Sequence, residues 1–217
     1  MSERYDVPPE RLGRWLERWA ANNGPVERTE IRPERVTFAG ADGAAVDCDP
    51  PFPPLLPTGP RRGAAVRDGF DPAPLLDHVS RDRVVGVLLV RLGGHAAGVF
   101  SGRRLVASKV GRRPVHGRHR AGGSSQRRFA RRREGQVRVA LQAAADVAAR
   151  VLLDHRRDLE ALVVGGDRSA LAEVLEDPRL RPLAPLVADR VLDVPDPRLA
   201  VLQATPDAFR ATIVRPR

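Results

Sequence analysis

Five consecutive residues near the middle of the chain, Gly122-Gly123-Ser124-Ser125-Gln126, combine groups that could do chemistry in a narrow site. A glutamine amide cannot act as a general base near neutral pH. It donates and accepts hydrogen bonds, so its catalytic use would be to orient a water molecule. Backbone N–H groups would then stabilise the oxyanion generated by that water. Gly122 and Gly123 have no side chain, so the tip of such a loop can enter a tight space and take positive φ. The plainer reading of the same residues is a flexible turn ahead of a helix.

Charge around this stretch is one-sided. From Arg103 to Arg138 there are thirteen basic residues and one acid, Glu134, a net +12, while the whole chain is +10 and the remainder therefore −2. Clustered cations neutralise phosphates and release condensed counterions, so a local excess of this kind points to a polyanion. A codon bias toward arginine explains why Lys109 is the sole lysine. It does not explain why acids avoid this one segment. Arg112, Arg113, Arg118 and Arg120 before the glycines are candidate nucleic-acid contacts, as are Arg127, Arg128, Arg131, Arg132 and Arg133 after the glutamine. Aromatic residues make up only 4% of the chain, which argues against a stacking platform for single-stranded bases.

Other chemistries find less support. His116 and His119 have the spacing of a ligand pair, but no third ligand is near and the surrounding cations would repel a metal. Phosphate or ribose contact suits them better. A lone cysteine, Cys48, excludes an internal disulfide and a thiolate cluster. The expected central strands between Val84 and Val110 contain no Asp or Glu, which weighs against two-metal nuclease chemistry. Gly165-Gly166-Asp167-Arg168 suits either a phosphate-holding turn or a tight strand-to-helix turn, and the second is the simpler. No metal and no cofactor are expected.

The elements that must position the loop can be read from periodicity. Val84–Leu92 is a β-branched and leucine run of the kind buried on both faces; His95–Ser101 and Leu105–Val110 continue it as an antiparallel meander. After Gln126 the period changes to that of a helix, with Val137, Ala140, Leu141, Ala144, Ala148 and Val151 on one face, predicting a helix from about Arg127 to Arg157. Ser124 or Ser125 can cap its first N–H groups. Its first turns are rich in arginine, the wrong sign for the positive end of a helix, which suggests an external anion. A strand at Leu159–Gly165, a helix near Ser169–Leu175, a strand at Val187–Val194, a short helix around Pro197–Gln203 and a strand at Phe209–Val214 follow. The order predicts an α+β fold with a ribonuclease-H-like mixed sheet spanning 75–217.

Residues 1–60 read as a small separate α+β piece. Leu12, Trp15, Leu16 and Trp19 define one face of a helix over Glu10–Ala21, more suited to its own core than to a partner. Val26–Ile31, Arg35–Phe38 and Ala44–Cys48 are expected strands, and the proline-rich Asp49–Pro60 a stiff linker or strap. The start has no signal-type apolar core, and the longest apolar run, Val84 to Val90, is too short for a bilayer, so a cytoplasmic chain without membrane contact is expected.

Taken in order, HGR (His116–Arg118), GGSSQ (Gly122–Gln126) and RRFARRRE (Arg127–Glu134) resemble the catalytic central domain of eukaryotic and archaeal class-I peptide-chain release factors. Gly123-Ser124-Ser125-Gln126 is more similar still to the Gly-x-x-Gln loop of Vms-like release factors, peptidyl-tRNA hydrolases of ribosome rescue and quality control. The arginine and alanine content suggests an actinobacterial branch. The resemblance runs from about Arg83 to the C-terminus. It implies that Gln126 is the catalytic glutamine, that Gly122 and Gly123 are the loop glycines, and that Arg127 to Arg133 grip ribosomal RNA. In class-I factors the glutamine directly follows two glycines; here Ser124 and Ser125 intervene, which leaves Ser125 as a candidate to assist. The implied partners are the large ribosomal subunit, through its ribosomal RNA, and peptidyl-tRNA, approached by a monomer. With no room for a codon-reading domain, codon-independent rescue is expected. The alternatives are a ribosomal-RNA-binding factor that uses the same loop without hydrolysis, and an RNA-binding protein acting away from the ribosome.

Overall fold

The computed structural model describes residues 3–55, 65–112 and 124–217, with backbone alone for residues 124–132. The chain divides into two compact units, Met1–Arg81 together with Pro206–Arg217, and Asp82–Thr205. The first opens with β1 (Tyr5–Val7), α1 (Pro9–Asn22), β2 (Val26–Arg32), β3 (Arg35–Gly40), β4 (Ala45–Asp49), β5 (Ala65–Asp68) and α2 (Ala73–Ser80). The second holds β6 (Val84–Arg91), β7 (Gly94–Ser101), β8 (Arg104–Arg112), α3 (Ser124–Leu152), β9 (Ala161–Gly166), α4 (Arg168–Leu175) and β10 (Val187–Leu192). Then α5 (Leu199–Phe209) returns the chain to the first unit, where β11 (Thr212–Pro216) ends it.

In the first unit six antiparallel strands lie in the order β1-β11-β4-β3-β2-β5. Pro9 in the first turn of α1 loses no hydrogen bond there, and the helix buries Leu12, Leu16 and Trp19 in the unit's core with Phe38, Val46 and Cys48. Trp15 is half-buried and tilts against Tyr5. The other sheet face is polar. Asp47 accepts from Thr37 Oγ1 at 2.7 Å and from Arg217 at 2.9 Å; Asp49 accepts from Arg35 Nε at 2.7 Å and from Arg215. Elsewhere in the unit Arg4 pairs with Asp6, Arg28 and Arg32 with Glu30, Arg67 with Asp71, and Arg210 with Glu10.

Three expectations change here. Leu75, read as the opening of a second domain, is fully buried in the first unit's core on α2. The last strand, expected in the second sheet, pairs instead with β1 and β4, because Val214 fills the first core while Arg215 and Arg217 on alternate positions meet the Asp49 and Asp47 carboxylates. The proline-rich segment is tied to its own unit at its start: Leu55 is buried in that core and its N–H donates to Pro33 O at 2.6 Å. Residues 56–64 lie outside the described residues.

The second unit is a five-stranded mixed sheet in the order β10-β9-β6-β7-β8. The antiparallel meander β6-β7-β8 is extended on the β6 side by the parallel strands β9 and β10, the arrangement of ribonuclease-H-like folds. The apolar run of β6 is buried on both faces, as its composition requires. The core on one face joins Leu88, Val90, Ala97 and Val99 to Leu141, Ala144, Ala148 and Leu152 of α3. Each fully buried leucine contributes about 2 kcal/mol. No helix among the described residues is long and apolar enough to cross a membrane.

Candidate functional site

The site is defined by two rigid arms. One is β8, the edge strand, ending in Gly111 and the exposed Arg112 opposite Gly94. The other is α3, whose 29 residues make a rod roughly 43 Å long. From Ala140 onward the apolar side of α3 is held on the sheet by small alanines that allow close approach. The turns before it are freer: Glu134, Arg138 and Val139 are exposed, and Arg133 is half-buried.

The helix starts earlier and stops earlier than its periodicity predicts, at Ser124 and Leu152 rather than near Arg127 and Arg157. Nothing from Ser124 to Ala130 breaks a helix, since neither glycine nor proline occurs there, so the turn propagates back to Ser124. At the far end Leu153–His155 tighten into a 3-10 turn, after which Glu160 N–H bonds Val84 O and the chain enters β9. Ser125 and Gln126 therefore belong to the first turn of α3 instead of ending a loop. The cap expected from Ser124 or Ser125 lies outside the described side chains.

The first turn of α3 has no acid, and four N–H groups at a helix start have no partner within the helix. Helix partial charge and arginine charge thus add with the same sign at one place, where an anion would satisfy both. Arg127 and Arg131, like Arg128 and Arg132, stand one turn apart along the backbone of α3. Arg113, Arg118, Arg120, Gly122 and Gly123, with His116 and His119, lie outside the described residues.

At the base of the loop one residue escaped the sequence reading. His95, at the start of β7, is buried directly across from Gly111 of β8. A Cβ at residue 111 would stand 2.2 Å from His95 Nε2, so only glycine lets the ring lie over the end of strand β8. The available signal was a lone histidine in an otherwise apolar strand, paired with a glycine in the next.

Three carboxylates of the second unit, Asp146, Asp167 and Asp177, have structural tasks. Asp167 caps α4, accepting from Ser169 Oγ and from the N–H groups of Ser169 and Ala170, and these bonds hold its carboxyl below the usual range. Gly166, at φ +108°, makes the turn before it, where a Cβ would come 2.2 Å from Val90 O. The Gly-Gly-Asp run is accounted for as a tight turn with a filled cap. Asp177 is pulled down to about 2 by Arg179, which also bonds Asp146 at 2.7 Å. Among the described residues no three His, Cys, Asp or Glu side chains are grouped to hold a metal ion. Burial pushes the Cys48 thiol far up, with the Asp47 and Asp49 charges adding to the effect, so it is an inert core residue.

The chain is similar to peptide chain release factor subunit 1 of Methanopyrus kandleri, 32% identical over 103 residues, which are 48% of this chain and 25% of that protein. The match thus spans about a quarter of the relative's length. Among solved structures, an archaeal translation termination factor, aRF1, aligns with a TM-score of 0.43 at 16% identity, over 94% of this chain and 73% of that one. Pelota of Archaeoglobus fulgidus aligns with a TM-score of 0.31 at 14% identity, over 96% and 63%. Residues 83–215 match the profile of the Actinobacteria/chloroflexi VLRF1 release factors. The chain belongs to this release factor family.

Proposed function

We propose that the protein is a peptidyl-tRNA hydrolase that frees nascent chains from stalled large ribosomal subunits, acting as a monomer in the cytoplasm. The observation that carries this reading is the family match over residues 83–215, which includes Gln126 in the first turn of an acid-free, arginine-rich helix end. Gln126 accepts from and donates to a water, aiming its oxygen at the ester carbonyl that joins the peptide to the tRNA ribose. Attack gives a tetrahedral oxyanion, which backbone N–H groups near Gly122 and Gly123 and the surrounding RNA stabilise. On collapse the ribose–carbonyl bond breaks, the departing ribose oxygen takes up the proton lost by the attacking water to leave as a hydroxyl, and the peptide leaves as an acid. Ser125 assists by holding the same water. Arg112, Arg113, Arg118 and Arg120 on one side of the glycines, and Arg127 to Arg133 on the other, hold ribosomal RNA phosphates and fix the depth of entry. The catalytic part corresponds to the second unit, Asp82–Thr205, and residues 1–60 contribute contacts of their own.

The test is a release assay on purified 50S–peptidyl-tRNA complexes with wild type and Gln126→Ala. The reading requires binding close to wild type and release reduced at least about a hundredfold, the scale of losing a positioning or oxyanion contact. Equal release by both proteins removes the glutamine from the mechanism. Binding without release by either leaves a non-hydrolytic ribosomal-RNA-binding factor.

A further inference from the structure

In the first unit, acids hold eight of the twelve described arginines in place. Arg81 is engaged as well. Three described arginines of this unit, Arg11, Arg14 and Arg18, have side chains that bond no group among the described residues. All three are exposed and all three are on α1.

Their spacing, i, i+3 and i+7, places them within about 60° of one another around the helix. They form a row roughly 10 Å long, on the side away from the buried Leu12, Leu16 and Trp19. Trp15 flanks the row, four residues from Arg11 and three from Arg18, and its half-buried ring meets Tyr5 at 6.0 Å between centroids. Acids border rather than neutralise it: Glu17 is exposed on the neighbouring face, Glu10 is held by Arg210 and Glu3 by the Tyr5 hydroxyl. A unit that pairs its other arginines but leaves a straight row of three unpaired has kept that charge for something outside itself.

We infer that the α1 face of Arg11, Arg14 and Arg18 is a second RNA-contact surface that grips a phosphodiester backbone, with Trp15 and Tyr5 along its edge. Regularly spaced guanidinium groups on a rigid rod suit a polyanion, because each can take a phosphate bidentately without the chain having to order itself. The choice of RNA rests on the function proposed above. The surface itself does not involve Gln126, so the two can fail separately.

The test uses the full chain carrying Arg11→Gln, Arg14→Gln and Arg18→Gln. Binding to fluorescein-labelled oligouridylate and to isolated large ribosomal subunits is measured from about 50 to 200 mM salt. Three lost phosphate contacts should make the slope of log affinity against log salt shallower by about 2, with affinity for the subunits down about tenfold near 100 mM. The Arg→Lys triple variant keeps the charge and should keep the wild-type salt slope, with affinity lowered by the loss of bidentate contacts but less than in the Gln variant, and all of these variants should melt at the wild-type temperature. Arg28→Gln with Arg32→Gln, which removes two arginines already held by Glu30, should leave the slope unchanged. A wild-type slope and affinity on both probes overturns the inference. So does an equal loss from the Arg28 and Arg32 control, which would reduce the effect to net charge. Loss of binding to polyglutamate with RNA binding intact also overturns it, in favour of an acidic protein partner.

Discussion

Arginine is arranged in opposite ways on the first unit's polar sheet face and in the basic segment of the second unit. On the polar sheet face of the first, Arg35, Arg215 and Arg217 are set against Asp47 and Asp49 on neighbouring strands, and the charges are spent within the fold. Between Arg103 and Arg138, mostly in the second unit's β8 and α3, thirteen bases face one acid. A paired arginine contributes modestly to stability and little to binding, because its field is cancelled locally. A run of cations with one acid in it stores repulsion that an external anion relieves. Net charge alone would have missed the distinction; what separates the regions is where the carboxylates are.

The contrast breaks most sharply at Gln126. If the basic segment exists to deliver an amide to a reacting ester, Gln126→Ala costs at least about a hundredfold in release with binding retained. If the segment is only a grip, nothing changes. The next largest effect separates the units by stability. Leu152, fully buried where α3 meets the sheet, should cost about 3 kcal/mol as Leu152→Ala. Both tryptophans are on α1, so their fluorescence reports the first unit alone. In urea, the circular dichroism transition of this variant should move to lower denaturant while the fluorescence midpoint stays. A joint shift of both would mean the two units unfold as one. Smaller again is the grip: Arg131→Glu with Arg132→Glu should weaken ribosome association about tenfold and flatten its salt dependence, and unchanged co-sedimentation would remove these residues from it.

The second unit's sheet was legible because its signals are local. Val84–Leu92 is too apolar and too β-branched to be anything but an interior strand, and the Gly93-Gly94 and Gly102-Arg103 turns set the meander. The first unit was harder because its sheet is closed by strands from the two ends of the chain. Nothing local in Thr212-Ile213-Val214-Arg215 says which sheet it joins. The answer lies in Asp47 and Asp49, more than 160 residues earlier, whose charges match Arg217 and Arg215. β1 and β5 were missed for a related reason: at three and four residues they carry too few side chains to show a period. At the site, residue types and order were legible, while the start of α3 was not, since serine and glutamine serve a turn as readily as a first helical turn. His95 against Gly111 could be recognised only once the strand register was known.

The mildest prediction concerns the paired arginines. Burial alone would raise the Asp49 carboxyl, but hydrogen bonds from Arg35 and Arg215 outweigh it and leave it below the ordinary value. The unfolded chain then binds a proton at higher pH than the folded one. The stabilisation is complete above the unfolded carboxylate value near 3.9 and disappears as pH falls through the lower folded value. Solvent reaches this carboxyl, so the effect should be at most about 1 kcal/mol. Asp49→Asn should therefore lower the stability of the first unit slightly at pH 7, read by tryptophan fluorescence in urea, and by less at pH 3. The Arg131→Glu and Arg132→Glu variant should leave that fluorescence transition where it was at both pH values, because those arginines are on the other unit. If Asp49→Asn were neutral at pH 7, the ladder on the first sheet would be no better matched than the basic segment. The difference between the two regions would then be one of density rather than of pairing.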